Sequence, residues 1–147
     1  RVGHKPTKAP RSTKKQREAT EEKVAGAATN PPKHSELYGV YGNNDRNEKG
    51  LKEVISKYNF KILEPPHEIS INDRKIAIFH EPDPINKFIS TNKDIDIILH
   101  GHTHRFREER IGRSLIFNPG ESAGFLKDKN AIGIINLKDL STERIFF

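Results

Sequence analysis

The stretch DIILHGHTH, Asp96–His104, joins a short apolar run to histidines gathered at its end. Other segments follow the same plan: LYGVY (Leu37–Tyr41) runs into GNND, KIAIF (Lys75–Phe79) into His80, and SLIF (Ser114–Phe117) into NPGES. Short apolar runs bounded by turn residues read as buried strands. AIGIINL (Ala131–Leu137) and RIFF (Arg144–Phe147) read the same way. Between the first two runs lies EKGLKEVISKY, where Leu51, Val54, Ile55 and Tyr58 share one face of a helix. A second helix is expected over Pro84–Thr91, with Ile85, Phe88 and Ile89 on one side and Asn92 near its end. The sum is an α/β fold with more strand than helix.

At 147 residues the chain suits one domain with one core. Hydrophobic residues make up 33%, below the ~45–50% usual in globular chains, and the deficit is local. From Arg1 to Ser35 nine Lys or Arg stand against three Glu, a surplus equal to the net +6 of the whole chain, so the rest is electrically neutral. That segment offers only Val2 and Val24 as strongly apolar residues, too little burial to offset the entropy of ordering. Residues 1–36 are therefore expected to be a disordered basic tail with at most a fraying helix over Lys14–Ala28, and residues 37–147 the domain. Basic charge attracts nucleic acid, but no aromatic is interleaved for base stacking, so nucleic acid is not the expected partner.

The absence of Cys excludes disulfide frameworks, thiolate zinc fingers and cysteine nucleophiles. No apolar run approaches the ~18–20 residues that cross a bilayer, and none has the form of a signal peptide, so a soluble cytoplasmic protein with no membrane partner is expected. The chain begins at Arg1 and contains no Met, which predicts that the natural start lies upstream.

Ligand sites in α/β sheets form at strand ends. Residues two apart in extended chain point the same way, so His102 and His104 are expected to converge from one loop that Gly101 allows to turn. Imidazoles with a carboxamide suit Zn, Mn, Fe, Co or Ni better than Ca or Mg. Each signal also has a plain structural reading. His80 can be a strand-end histidine bonded to a neighbouring carbonyl. NPGES can be a connecting turn with Gly120 at positive φ. Asn43, Asn44 and Asp45 can be turn or capping residues ahead of the helix at Glu48. His100 reads as a packing or supporting residue, and His4, His34 and His67 as solvent-facing.

Taken in order, YGNND at Tyr41–Asp45, His80, HGHTH at His100–His104 and NPGES at Asn118–Ser122 resemble the calcineurin-like metallophosphoesterases, specifically the small YfcE-type phosphodiesterases, over residues 37–147. Four motifs in the right order make the resemblance specific, where GHTH alone would not. It implies a layered α/β sheet with flanking helices and two divalent metals, drawn from Mn, Ni, Zn or Fe, that hydrolyse a small phosphodiester substrate. By position, Asn43, His80 and His102 look like ligands of one metal and His104 like a ligand of the other. Asp45 corresponds to the acid that supports a catalytic histidine. Asn44 stands where that histidine would be, which weakens general-acid help to the leaving group. Glu81 stands where the family has glycine, and a carboxylate there either joins the metal ligands or repels phosphate.

The Asp-x-His and Gly-Asp motifs that open the family pattern do not occur in this chain. The fold is therefore expected to be incomplete on its N-terminal side, with open sheet edges that favour poor stability or a homo-oligomer. Three readings follow: a metal-dependent phosphodiesterase whose front ligands come from elsewhere, a non-catalytic interaction scaffold on the same fold, or a truncated, inactive family member.

Overall fold

A computed structural model describes residues 36–126 and 128–147; the expected tail, its helix, His4 and His34 lie outside the described residues. The elements are β1 (Tyr38–Val40), a 3-10 turn (Asp45–Asn47), α1 (Leu51–Tyr58), β2 (Lys61–Leu63), β3 (His67–Ile71) and β4 (Arg74–Ile78). They continue with α2 (Ile85–Thr91), β5 (Ile97–Leu99), β6 (Arg107–Ile111), β7 (Ser114–Asn118), β8 (Ala131–Ile135) and β9 (Thr142–Phe146).

Five strands form a mixed sheet in the order β3, β4, β5, β7, β6. The inner three are parallel, while β3 and β6 pair antiparallel at the flanks. Successive side chains alternate across this sheet and both faces are covered, which explains the continuous apolar runs Ile76–Ile78, Ile97–Leu99 and Leu115–Phe117 of the inner strands. Ala77, Ile98 and Ile116 face one side, where Ile85 and Ile89 of α2 pack on them with Phe79 and Ile95. Ile76, Ile97, Leu115 and Phe117 face the other, covered by Leu140 with Ile135 and Leu137. Full burial of each such side chain contributes about 1.5–3 kcal/mol. Asn92 stops α2 as expected, its Nδ2 donating to the Phe88 carbonyl at 2.9 Å.

The remaining strands form two small ribbons. β1 and β2 pair in parallel, and β8 and β9 antiparallel. β1 meets the main sheet through His67, whose Nδ1 lies 2.9 Å from the Gly39 carbonyl and whose ring stands edge-on to Tyr38. His67 is thus buried, not solvent-facing, because it opens β3 beneath β1 instead of sitting in a proline-rich loop. The helix α1 forms where its spacing predicts, with Leu51 and Ile55 half-buried and Val54 and Tyr58 exposed.

Two further expectations change. β2, β3 and β6 lack a continuous apolar run: REERI of β6 lies on a sheet edge, where charge blocks unwanted pairing. β8 and β9 are strands but not buried ones, since Ile132, Ile134 and Ile145 stay exposed on the outer face of their ribbon.

One buried acid links these parts. Asp96 precedes β5 and is 3% exposed. It accepts the Lys75 amide at 2.9 Å, Arg113 at 2.6 Å and Arg74 at 3.3 Å. Arg74 in turn donates to the carbonyls of Leu137 and Lys138 at 2.8 and 2.9 Å. Burial pushes the Asp96 carboxyl up, but the amide and the two guanidinium groups outweigh it and hold the group below its ordinary value of 3.8. Asp96→Asn is expected to lower stability at pH 7 by about 2–3 kcal/mol, measured by urea unfolding. The contribution is complete above 3.8 and is lost as pH falls through the lower folded value, so the gap between the two proteins should close in acid.

Candidate metal centre

Because β4, β5 and β7 run parallel, their C-terminal ends share one edge, and the chain leaving each carries a segment singled out by the sequence. Beyond β4 comes His80, beyond β5 the loop Gly101–His104, and beyond β7 the turn Asn118–Glu121. The turn after β1 meets them there. It is closed by Asp45, whose Oδ2 accepts the Gly42 amide at 2.6 Å. A Cβ on Gly42 would lie 2.8 Å from that oxygen and 2.9 Å from Cε1 of His80, so only glycine lets the turn press against the imidazole. Asn44 lies exposed at the start of the 3-10 turn and makes no side-chain cap, so the capping alternative does not account for it.

Asn43 Oδ1 lies 2.9 Å from His80 Nε2, and His102 Nδ1 lies 3.1 Å from the same nitrogen. An amide oxygen only accepts hydrogen bonds, and each neutral imidazole carries a single N–H. If His80 Nε2 holds a proton, that proton is shared between two acceptors. If it does not, its lone pair faces the lone pair of Asn43. A cation among the three atoms would satisfy all of them, and two imidazole nitrogens with an amide oxygen fit a borderline divalent ion. The Glu81 carboxylate belongs to the same neighbourhood: His80, Glu81 and His102 each offer a ligand atom within 4.8 Å of the others.

His102 and His104 contact different partners. Both adopt positive φ, 63° and 55°, so the sharp turn is made by the histidines and not by Gly101. Such backbone costs on the order of 1–3 kcal/mol per residue and persists only where neighbours impose it. Here Thr103 N donates to the Gly101 carbonyl at 2.7 Å. The buried Asn118 amide donates to the same carbonyl at 3.1 Å and to Thr103 Oγ1 at 3.3 Å. His104 contacts Glu121 Oε2 through Nδ1 at 2.6 Å, which leaves Nε2 as its available ligand atom.

Burial of Glu121 pushes its carboxyl up, but His104 and the Ala123 amide outweigh this and keep it below the usual range. His100 is buried with Nδ1 3.1 Å from the Gly101 carbonyl, and burial pushes its imidazole down, so it is a neutral supporting residue as its spacing suggests.

An open cleft of about 330 Å³ adjoins His80. Tyr41, Asn43, Glu81 and Arg46 line it together with Pro65, Pro66 and Pro84. Arg46 is held by Glu64 through Nε at 3.1 Å and a second bond at 2.5 Å.

The mixed α/β sheet, with imidazoles at the exits of its parallel strands, is an architecture of the phosphoesterase class. The chain belongs to the calcineurin-like phosphoesterase superfamily, whose domain description it matches over residues 13–140. It is 30% identical over 105 residues to the phosphodiesterase MJ0936 of Methanocaldococcus jannaschii, a stretch that covers 70% of this chain. The chain spans 63% of the length of that curated relative. A solved archaeal phosphodiesterase superposes with a TM-score of 0.66 at 27% identity, covering 78% of this chain and 70% of the other. The YfcE phosphoesterase of E. coli gives a TM-score of 0.38 at 22% identity, over 73% of this chain and 62% of its own. Among the described residues no helix is long and apolar enough to cross a membrane.

The sequence marks NPGES as a turn and as part of the family pattern, but gives Asn118 and Glu121 no individual role. The available signal was Asn118 closing the apolar run Leu115–Phe117, with Glu121 three residues further on, at a strand end where buried polar groups must have partners. Gly42→Ala is expected to displace His80 and to weaken divalent-metal binding in a chelator-competition titration. Asn118→Ala is expected to release the histidine loop and to lower stability by about 1–3 kcal/mol, read by denaturant unfolding.

Proposed function

We propose that residues 37–147 form a metal-dependent phosphodiesterase domain acting on a small-molecule phosphodiester in the cytoplasm. The observation that carries this reading is the meeting of Asn43 Oδ1, His80 Nε2 and His102 Nδ1 beside an open cleft. Membership of a family with a phosphodiesterase among its relatives supports the substrate class.

Asn43, His80 and His102 would hold one divalent ion, with Mn, Ni, Zn and Fe all suited to the donor set. His104, oriented by Glu121, would offer its Nε2 to a second ion, and a dinuclear centre would need the family's Asp-x-His and Gly-Asp ligands, absent from this chain, to be supplied from elsewhere. A bound ion supplies Lewis acidity at the phosphoryl oxygen and acidifies water. The chain's own residues do the positioning. Asp45 closes the turn and thereby fixes Asn43 against His80. Asn44 presents an amide that can donate to a phosphoryl oxygen but has no proton to give a departing alkoxide, so general-acid help is missing at this position.

Hydrolysis of bis(p-nitrophenyl) phosphate by the purified chain, with Mn²⁺ added, tests the reading. His102→Ala is expected to abolish the activity; equal rates in the two proteins would sink catalysis at this site. Rates should fall steeply when p-nitrophenolate is replaced by an alkyl leaving group, because Asn44 cannot protonate it.

A further inference from the structure

We propose that Glu81 is itself a metal ligand, supplying the anionic donor that Asn43, His80 and His102 lack. The inference rests on the metal site proposed above and extends it to a residue outside that neutral set.

Geometry is the first support. Neighbouring residues in a strand point to opposite sides, but β4 ends at Ile78 and the chain bends through Phe79–Glu81 toward α2. That bend brings a Glu81 oxygen, a nitrogen of His80 and a nitrogen of His102 within 4.8 Å of one another. Ligands 2.0–2.2 Å from one tetrahedral ion lie about 3.3–3.6 Å apart, so a side-chain rotation that moves the exposed Glu81 carboxylate by about an ångström closes the group on a metal.

Availability is the second. Three other carboxylates near the cluster already have partners: Asp45 holds the Gly42 amide, Glu64 holds Arg46, and Glu121 holds His104 and the Ala123 amide. Among the described residues Glu81 makes no side-chain hydrogen bond or ion pair, and it lines the same cleft as Asn43 and His80.

Charge is the third. Two imidazoles and an amide leave the full +2 of an ion uncompensated, whereas two His with one carboxylate is a donor set that holds Zn and non-haem Fe with positions left open. Glu81 therefore provides from the strand exit a negative charge that no other residue of this cluster supplies.

The test is a titration of the full chain with Co²⁺ and with Zn²⁺ against a chromophoric chelator, together with the visible absorption of the bound Co²⁺. Wild type, Glu81→Gln, Glu81→Ala and His102→Ala are compared, and thermal melts without metal confirm that each variant folds. Both Glu81 variants are expected to bind 10–100-fold more weakly, with a changed Co²⁺ spectrum. If His102→Ala loses binding while the Glu81 variants match wild type in affinity and spectrum, the metal site stands and the Glu81 assignment is overturned. A Glu81→Gln protein with unchanged metal affinity but a lower KM for a phosphodiester would give Glu81 the opposite role, repulsion of substrate. If wild type does not bind, or binds no better than His102→Ala, the underlying metal site falls as well.

Discussion

Parallel pairing of β4, β5 and β7 is the constraint on which the site depends. Parallel strands must return by a crossover, so their exits cannot alternate between the two ends of the sheet as they do in a meander. Each exit therefore delivers its loop to the same edge, and residues 80, 102 and 118 become neighbours although far apart in sequence. The apolar alternation that keeps these strands central serves as the foundation of a polar cluster that owes nothing to local pattern. The Asp96 network lies at the strand-entry end, so the forces that hold the sheet together are separated from those that shape the ligand cluster.

Within the cluster, close packing and hydrogen bonding divide the work. Gly42 brings the turn against His80 by having no side chain, and Asp45 keeps it closed. On the other side Asn118 holds the carbonyl of Gly101 and the hydroxyl of Thr103, which stabilises the positive φ of His102. The two histidines of the loop then take separate partners, one His80 and the other Glu121.

Much of this was legible in the sequence. The inner strands, both helices and the histidine-bearing strand ends follow from short apolar runs and helical spacing, which depend on local chemistry. The edge strand β6 was not, because its REERI sequence satisfies pairing and solvent and carries no apolar signal. His67 was misread because its burial depends on Gly39, 28 residues earlier. The spacing argument for His102 and His104 lost its premise for a related reason: the rule of two applies to extended chain, and both residues leave the extended region. Glu81 had two readings in the sequence, and only the bend after β4 places its carboxylate beside both imidazoles.

Pro65, Pro66 and Pro84 give the cleft beside His80 a stiff wall. Proline has its φ fixed near −65°, so these segments have little conformational freedom left to lose when a guest arrives. A molecule entering the cleft would meet this wall with little remodelling and would be fitted against a nearly fixed surface. Bulk beyond it would project through the open side, so a size limit would fall only on the part held near Asn43 and His80.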